Sequence, residues 1–311
     1  MRDAFATALL ALAGEYPNLA VLDGDCSHST RTYQFQERYP NRFINAGIAE
    51  QNMVSMAAGM EKAGLLPIVC GFAAIMVHRA AEQLVQSVAY TTSNVKVIGH
   101  YAGVSAAFEG APHHSIADLA LIRSIPNMTV LCPVDDGDVE ACLREALSTD
   151  GPVYLRLARN PVTARSASEP WRRADGYWLC GEGDVAIVAI GAMSPVALQT
   201  AARLRRDGIS ARVFAVRRLK PLPRAFVNEL TSGRYATIAT IEDHNVVGGL
   251  GGAIAEATST HAGRVVRFGI ADTFTQSGTY DDLLAGLGLT ADQISRAISR
   301  ALEAHVTKEA I

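Results

Sequence analysis

Short apolar runs alternate with polar or amphipathic segments along the whole chain. The run 185–190, VAIVAI, predicts a buried strand, and the segment after it predicts a helix that Ser194-Pro195 opens and that ends at Arg206. Strands that alternate with helices in this way form parallel sheets covered by helices, so the pattern predicts the α/β fold class. The other predicted strands are 19–23, 42–45, 66–70, 95–98, 129–132, 153–157, 211–216, 236–241 and 265–268. The other predicted helices include 3–13, 80–90, 115–124, 136–147, 222–230 and 290–304.

The chain divides into two such halves, and its 311 residues suggest about two domains. The periodicity is lost between them, where Pro161, Pro170 and Trp171 occur. We therefore predict a first domain at residues 1–165 and a second domain at 181–311, each with a mostly parallel sheet. Residues 166–180 are interpreted as a linker that passes over the surface.

Composition and charge exclude several classes of protein. Hydrophobic residues make up 49% of the chain and charged residues 19%, as in a tightly packed globular protein. The net charge of −3 argues against nucleic acid as the main partner. No apolar run approaches the roughly 20 residues of a membrane-spanning helix, and the amphipathic start lacks the features of a signal peptide. We therefore expect a cytoplasmic protein.

Three further features suggest sites, but each has a structural interpretation. The five cysteines form no CxxC pair, so they are expected to be buried thiols, and we predict no metal site in this chain. The glycine-rich segment 248–252 lacks a phosphate-binding pattern and is interpreted as close helix–strand packing. Glu242, Asp243 and His244 are adjacent on a strand end and cannot all point at one ion, so we expect them at an interface or in a solvent-facing turn.

The stretch 41–64, NRFINAGIAEQNMVSMAAGMEKAG, predicts a strand, a turn and then a helix. After its first turn this helix is poor in charge and carries apolar residues at helical spacing, so we expect burial on most sides. Glu50 lies where the strand leads into the helix. This is the carboxyl end of the sheet, where open α/β folds place their ligand crevices. On position alone, Glu50 could also be an acid favoured by the helix dipole.

The segment 47–52, GIAEQN, which follows Arg42-Phe43, resembles the signature of the pyrimidine-binding domain of transketolases and related thiamine diphosphate enzymes. The resemblance extends over nearly the whole chain, with residues 181–311 similar to the transketolase C-terminal domain that supports the dimer. In that family the glutamate hydrogen-bonds N1′ of the cofactor's aminopyrimidine. The resemblance therefore implies that Glu50 is catalytic and binds the cofactor. A carboxyl group in a dry pocket suits this role, because it can share a proton with a weakly basic ring nitrogen.

One part of the family's machinery is missing from the chain. The diphosphate-binding domain carries a Gly-Asp-Gly with a downstream Asn, which hold Mg²⁺ (or Ca²⁺ or Mn²⁺) against the phosphates. The chain contains no Gly-Asp-Gly, and Asp23-Gly24-Asp25 is a different sequence. The resemblance therefore implies a partner, an N-terminal transketolase subunit that holds the metal ion and the diphosphate. The expected assembly is a split transketolase of α2β2 type with the active site at the subunit interface.

The aminopyrimidine pocket of the family is lined by aromatic residues after the next strand. Phe72 matches the first of these positions, and Ile75 and His78 occupy two later positions that are usually aromatic. The resemblance implies that all three contact the cofactor. The alternative for Phe72 is an ordinary core phenylalanine.

Residues 100–118, HYAGVSAAFEGAPHHSIAD, resemble the substrate loop of the family. His113 matches a catalytic histidine that contacts the hydroxyls of the donor sugar, and His114 replaces a glutamine. Glu109 falls where an aspartate reads sugar stereochemistry, and Tyr101 falls where a histidine is common. The resemblance assigns His113, Glu109 and Tyr101 to substrate binding.

Arg2, Ser29 and Arg159 match positions that bind the terminal phosphate of the sugar in the family. Arginine suits a tetrahedral oxyanion because its guanidinium offers paired donors. Together the three residues suggest an anionic end group, either a phosphate or a group such as a sulfonate. The alternatives are a solvated terminal residue for Arg2 and a capping role for Arg159.

Three functions follow from the resemblance. The first is a transketolase subunit that moves a two-carbon ketol unit from a ketose phosphate, or a similar anionic ketose, to an aldose. The second is a subunit similar to 1-deoxyxylulose-phosphate synthase or to the E1 β subunit of 2-oxoacid dehydrogenases, which share the pyrimidine-binding domain. The third is a non-catalytic scaffold subunit. The histidines in residues 100–118 and the run 125–135, IPNMTVLCPVD, favour the first function.

Overall fold

The computed structural model describes residues 1–164, 171–260 and 263–309, and the side chains of residues 304–309 lie outside this description. The chain forms a seven-stranded and a six-stranded sheet, each covered by helices. The predicted α/β fold class is confirmed. The strands are β1 (Leu19–Asp23), β2 (Phe43–Asn45), β3 (Leu66–Phe72), β4 (Lys96–His100), β5 (Thr129–Leu131), β6 (Val153–Arg156), β7 (Arg172–Ala174), β8 (Tyr177–Cys180), β9 (Val185–Ile190), β10 (Ala211–Val216), β11 (Arg218–Lys220), β12 (Thr237–Asn245) and β13 (Arg264–Ile270).

The helices are numbered in the same way. Their bounds are α1 (Arg2–Leu12), α2 (Ser27–Thr30), α3 (Tyr33–Arg38), α4 (Glu50–Lys62), α5 (Ala73–Arg79), α6 (Ala81–Gln83), α7 (Asp118–Ser124), α8 (Val139–Ser148), α9 (Ser194–Arg206), α10 (Arg224–Leu230), α11 (Leu250–Ala257), α12 (Tyr280–Gly286) and α13 (Ala291–Glu309). The predicted helix 80–90 consists of α6 and a π-helical segment, Leu84–Ala89. Among the described helices, none is both long and apolar enough to cross a membrane.

The first sheet has the order β11-β5-β6-β4-β3-β1-β2. All of its pairs are parallel except β11 with β5. Phe5 and Leu9 of α1 pack on one face, and Val54 of α4 and Met76 of α5 pack on the other. Because β2, β1, β3 and β4 are neighbours and parallel, the loops at their carboxyl ends meet at one edge of the sheet.

The second sheet has the order β13-β12-β9-β10-β8-β7, and its first four strands are parallel. The segment predicted as a linker supplies β7 and β8, so the linker interpretation of residues 172–180 is wrong. These strands form an antiparallel hairpin with the two-residue loop Asp175-Gly176, in which Gly176 has φ +73°. Residues 165–170, the start of the predicted linker, lie outside the described residues.

Helix α4 is buried on one side only. Met53, Val54, Ala57 and Ala58 face the core, whereas residues 51–52 are exposed. The expectation that this helix is buried on most sides is therefore wrong for the single chain. Small uncharged residues such as Ser55 and Gly59 also occur on its exposed face, so a lack of charge does not by itself indicate burial.

A buried ion cluster joins the two domains. Arg156 at the end of β6 contacts Asp118 of α7 at 2.9 Å and Asp243 of β12 at 2.7 Å, and all three side chains are almost completely buried. Glu242 accepts hydrogen bonds from the N–H groups of Leu250 and Gly251 at the start of α11. The segment 242–244 is therefore part of an interface within the chain, and the solvent-facing alternative is wrong.

The glycines of segment 248–252 allow close packing, as predicted. A Cβ on Gly248 would lie 2.6 Å from the Cβ of Ala120, and one on Gly249 would lie 2.0 Å from a carboxylate oxygen of Glu242. Only glycine can occupy these positions without moving the neighbouring elements.

Candidate active site

Glu50 is the first residue of α4 and follows the turn after β2. Gly47, with φ +71°, supplies the left-handed backbone of this turn, and its N–H donates to the side-chain oxygen of Asn45 at 2.9 Å. The Glu50 side chain is 10% exposed. The strand, the turn and the helix therefore hold a mostly buried carboxylate at the carboxyl edge of the first sheet.

The sequence did not predict the partner of this carboxylate. Nη1 of Arg79, at the end of α5, lies 3.1 Å from each of the two oxygens of Glu50. The Arg79 side chain is 52% exposed. Both residues line an open cleft of about 650 Å³ together with Ile48, Ala49, Gln51 and Asn52. A flat ligand in this cleft would have access to the Glu50 carboxylate and to the exposed apolar side chain of Ile48.

The three predicted pocket residues on β3 and α5 have different environments. The Phe72 ring makes edge contacts with Tyr101 at 4.6 Å and His113 at 5.7 Å between ring centroids. Phe72 is only half-buried, so its ring is partly accessible from the carboxyl edge of the sheet. Ile75 is also half-buried. His78 is exposed, and its Nδ1 lies 2.7 Å from the carbonyl oxygen of Ala74 on its own helix.

Tyr101, directly after β4, has two arginines beside its ring. The Arg2 guanidinium carbon is 5.7 Å from the centre of its ring, and that of Arg159 is 5.4 Å from it. Nη1 of Arg2 also donates to the Tyr101 hydroxyl at 2.7 Å and to the carbonyl oxygen of Ser29 at 3.2 Å. The structure therefore brings Arg2, Ser29, Tyr101 and Arg159 together, with Ser29 contributing its backbone.

Two hydrogen-bond donors of this arginine–tyrosine cluster are unpaired within the described part of the chain. The Nε atoms of Arg2 and Arg159 are buried and have no partner among the described residues. Buried donors normally have partners, so two unpaired N–H groups on adjacent cations favour an anionic ligand. Tyr101 is held there with φ +61°, a backbone conformation that is uncommon for a non-glycine residue and is frequent at functional sites.

The loop after Tyr101 carries the remaining predicted residues. His113 is half-buried beside Phe72, and its Nδ1 lies 3.3 Å from the carbonyl oxygen of Glu109. The Glu109 side chain is exposed at the rim of the site. His114, which the sequence marked only as a substitution, is buried, and burial lowers the pKa of its imidazole.

Comparison with known proteins supports the family assignment. Residues 1–164 match the family model described as the transketolase pyrimidine-binding domain, and residues 176–294 match the transketolase C-terminal domain. The chain belongs to the transketolase family. Transketolases and 1-deoxy-D-xylulose-5-phosphate synthases are related, and both depend on thiamine diphosphate.

Relatives within the transketolase family include proteins of the same length. The chain is 35% identical to the "6-deoxy-6-sulfo-D-fructose transketolase subunit SqwH" of a Clostridium species, over 97% of this chain and 94% of that protein. A solved structure described as "Split gene transketolase, inactive beta4 tetramer" is 38% identical, has a TM-score of 0.84 and covers 97% of each chain. The 1-deoxy-D-xylulose-5-phosphate synthase of Pelotomaculum thermopropionicum is 32% identical over 95% of this chain but only 47% of that protein. The chain therefore spans nearly the whole length of the first two relatives and about half the length of the synthase.

A second element at this edge of the transketolase pyrimidine domain was missed. Asp23, at the end of β1, is fully buried and accepts hydrogen bonds from the Cys26 N–H and from the hydroxyls of Thr30 and Thr32 at 2.7–2.8 Å. Burial, and then the carboxylates of Asp23 and Glu50, raise the pKa of the Cys26 thiol. The same turn approaches Glu50, since a Cβ on Gly24 would lie 3.9 Å from Cγ of Glu50. An acidic turn at the end of the strand next to β2 was the signal that could have indicated this.

Proposed function

We propose that this chain is the subunit of a split transketolase that carries the pyrimidine-binding and C-terminal domains. It would take part in the transfer of a two-carbon ketol unit from an anionic ketose to an aldose. One observation carries the proposal. The same edge of the first sheet holds the mostly buried Glu50 carboxylate, the Phe72 and His113 rings in contact, and two arginines beside the Tyr101 ring.

The residues of this chain fit one half of thiamine diphosphate. The cleft beside Glu50 offers a carboxylate and the apolar side chain of Ile48, which suit a flat heterocycle with a basic nitrogen. Among the side chains that the structure describes, no group of three or more His, Cys, Asp or Glu could hold a metal ion. In this proposal Glu50 would bind the aminopyrimidine, with Phe72 and Ile75 beside it, and the partner subunit would hold the diphosphate and Mg²⁺ (or Ca²⁺ or Mn²⁺).

Glu50 would hold or share a proton at a carboxylate oxygen that faces the ring nitrogen. Since Arg79 contacts both oxygens, it has to release one of them, and its half-exposed side chain has room to withdraw. The bound cofactor supplies the electron sink that allows a carbon–carbon bond next to a ketone to break. Phe72 excludes water from one side of the reacting centre.

His113, Tyr101 and Glu109 would orient the sugar, and His113 would exchange protons with its hydroxyls. Arg2 and Arg159 would bind the anionic end group through their unpaired Nε–H donors, with Ser29 positioning Arg2. Both a phosphate and a sulfonate are tetrahedral oxyanions that suit these donors. The name of the Clostridium relative gives a sulfonated ketose as that protein's substrate, so we include this class beside ketose phosphates.

The partner would be an N-terminal transketolase subunit with the diphosphate-binding domain, in an assembly of α2β2 type. The exposed cleft at Glu50 and the exposed face of α4 are available to it. The solved relative is described as an inactive tetramer of its β chain, which agrees with a need for a second subunit.

The test is reconstitution with the N-terminal subunit, thiamine diphosphate and Mg²⁺. We expect ketol transfer from a ketose phosphate or a ketose sulfonate, and loss of this activity in Glu50→Gln. Glu61→Gln, on the same helix but away from the cleft, is the matched control and should retain activity. Turnover that survives Glu50→Gln would make this chain a scaffold, and condensation of pyruvate instead of ketol transfer would favour the synthase reaction.

A further inference from the structure

The second domain contacts the histidine loop, residues 102–115, at three separate places. Gly103 packs against Asp243, where a Cβ would lie 1.9 Å from a carboxylate oxygen. A Cβ on Gly110 would likewise lie 2.7 Å from the hydroxyl oxygen of Ser277. The third contact is a hydrogen bond, 2.6 Å between Nδ1 of His114 and the hydroxyl oxygen of Thr275. Both partners are at least nine-tenths buried.

The geometry fixes the tautomer of His114. Its Nε2 lies 3.1 Å from the carbonyl oxygen of Ala107, which can only accept, so Nε2 carries the proton and donates. In a neutral ring Nδ1 then accepts, and Thr275 is the donor. Burial lowers the pKa of His114, which agrees with a neutral ring.

His114 thereby links the second domain to a strained turn. Ala107 has φ +55°, which is unfavourable for a residue with a Cβ. This residue begins the turn Ala107–Glu109, and the carbonyl oxygen of Glu109 lies 3.3 Å from Nδ1 of His113. The path from Thr275 through His114 to Ala107 therefore ends at the two loop residues that are expected to contact the sugar.

We propose that Thr275 is a positioning residue for His113 and Glu109, acting through a neutral His114 with its proton on Nε2. The functional part of this proposal rests on the proposed transketolase activity. The second domain then has a role in substrate recognition as well as in assembly. Thr275 itself contacts no reacting atom.

Thr275→Val tests the proposal, because it keeps the shape of the side chain and removes the donor. In the full chain we expect a changed ¹⁵N chemical shift of His114 Nδ1, because this nitrogen loses its donor while Nε2–H keeps the Ala107 carbonyl oxygen, and faster amide exchange at Gly110, His113 and His114. In the reconstituted enzyme we expect the KM for the donor sugar to rise about tenfold, as for a lost buried hydrogen bond, at unchanged affinity for the cofactor.

Two controls separate positioning from loss of fold. Thr275→Ser retains the hydroxyl and should preserve both the Nδ1 chemical shift and the KM. Thr273→Val, at an exposed position of the same loop, should leave both unchanged. A Thr275→Val variant with native Nδ1 shift, exchange and KM would overturn the proposal, as would a Ser variant as impaired as the Val variant. If the reconstituted wild type transfers no ketol unit, the proposed function fails, and the NMR and exchange results still decide the positioning role.

Discussion

Replacing Arg156 by methionine should strongly destabilise the chain, because Arg156 neutralises two buried carboxylates at once. Its contacts are 2.9 Å to Asp118 and 2.7 Å to Asp243, and neither acid is exposed to solvent. Burial alone would raise the pKa of Asp118, but the Arg156 guanidinium, together with His244 and the Tyr154 hydroxyl, more than offsets this, so that the pKa lies below its usual range. Arg156→Met retains apolar volume but leaves both acids without a counter-charge. Such a change costs about 3–5 kcal/mol.

The assay is urea unfolding at pH 7, monitored by circular dichroism and by fluorescence. The two signals must report the same single transition for the free energy of unfolding to be defined. The matched control is Glu256→Gln, which removes an ion pair to Arg123 that also joins the two domains but whose acid is 66% exposed. An exposed pair of this kind is worth about 1 kcal/mol or less.

The pH dependence gives a second check. In the variant the unpaired carboxylates should have raised pKa values in the folded state, so the folded chain binds more protons than the unfolded chain. Its stability then increases as the pH falls, and the deficit relative to the wild type should be smaller at pH 5 than at pH 7. A loss below about 1 kcal/mol, or a deficit that does not change with pH, would refute this account of the cluster.

Two further predictions concern single residues. Burial lowers the pKa of His100 to about 3. In the unfolded chain a histidine titrates near 6.5. As the pH falls below about 6.5, the unfolded chain binds a proton that the folded chain does not, so the free energy of unfolding decreases by about 1.4 kcal/mol per pH unit. Urea unfolding at pH 7 and pH 5 should therefore show about 2 kcal/mol less acid destabilisation in His100→Phe than in the wild type, and equal losses would contradict the assignment. Arg159→Gln should raise the KM for an anionic ketose about 10- to 100-fold in the reconstituted enzyme, because a charge-assisted donor is lost. The KM for an uncharged ketose should remain the same, and a parallel rise for both substrates would argue against an anion site.

Local patterns predicted the position of Glu50 well. The strand, the turn and the start of a helix lie within a few residues of one another, and the glycine turn leaves little choice of geometry. The same reasoning could not find Arg79. Its guanidinium reaches Glu50 from the end of another helix, and such a contact depends on how α4 and α5 pack and on the rotamer of a long side chain.

The missed strands have different causes. The hairpin of β7 and β8 has a local signal, the dipeptide Asp175-Gly176 between residues of high β-propensity. The prolines that precede it favour a linker and hide this signal. Strand β11 had none, since a three-residue strand is defined by its pairing partner and not by its own sequence.

The link between Thr275 and His114 joins residues 161 positions apart and follows only from the way the two domains pack. The predicted roles of the site residues remain hypotheses.

Strand β11 also limits how the chain can be divided. It comes after four strands of the second sheet, yet it closes the β5 edge of the first sheet. A fragment that stops at the junction near residue 164 would leave the N–H and C=O groups of β5 open to pairing with another molecule. Proteolysis or truncation there should yield a fragment that self-associates through this open edge, rather than an independent pyrimidine-binding module. Fusion or splitting of the gene at that point is therefore disfavoured.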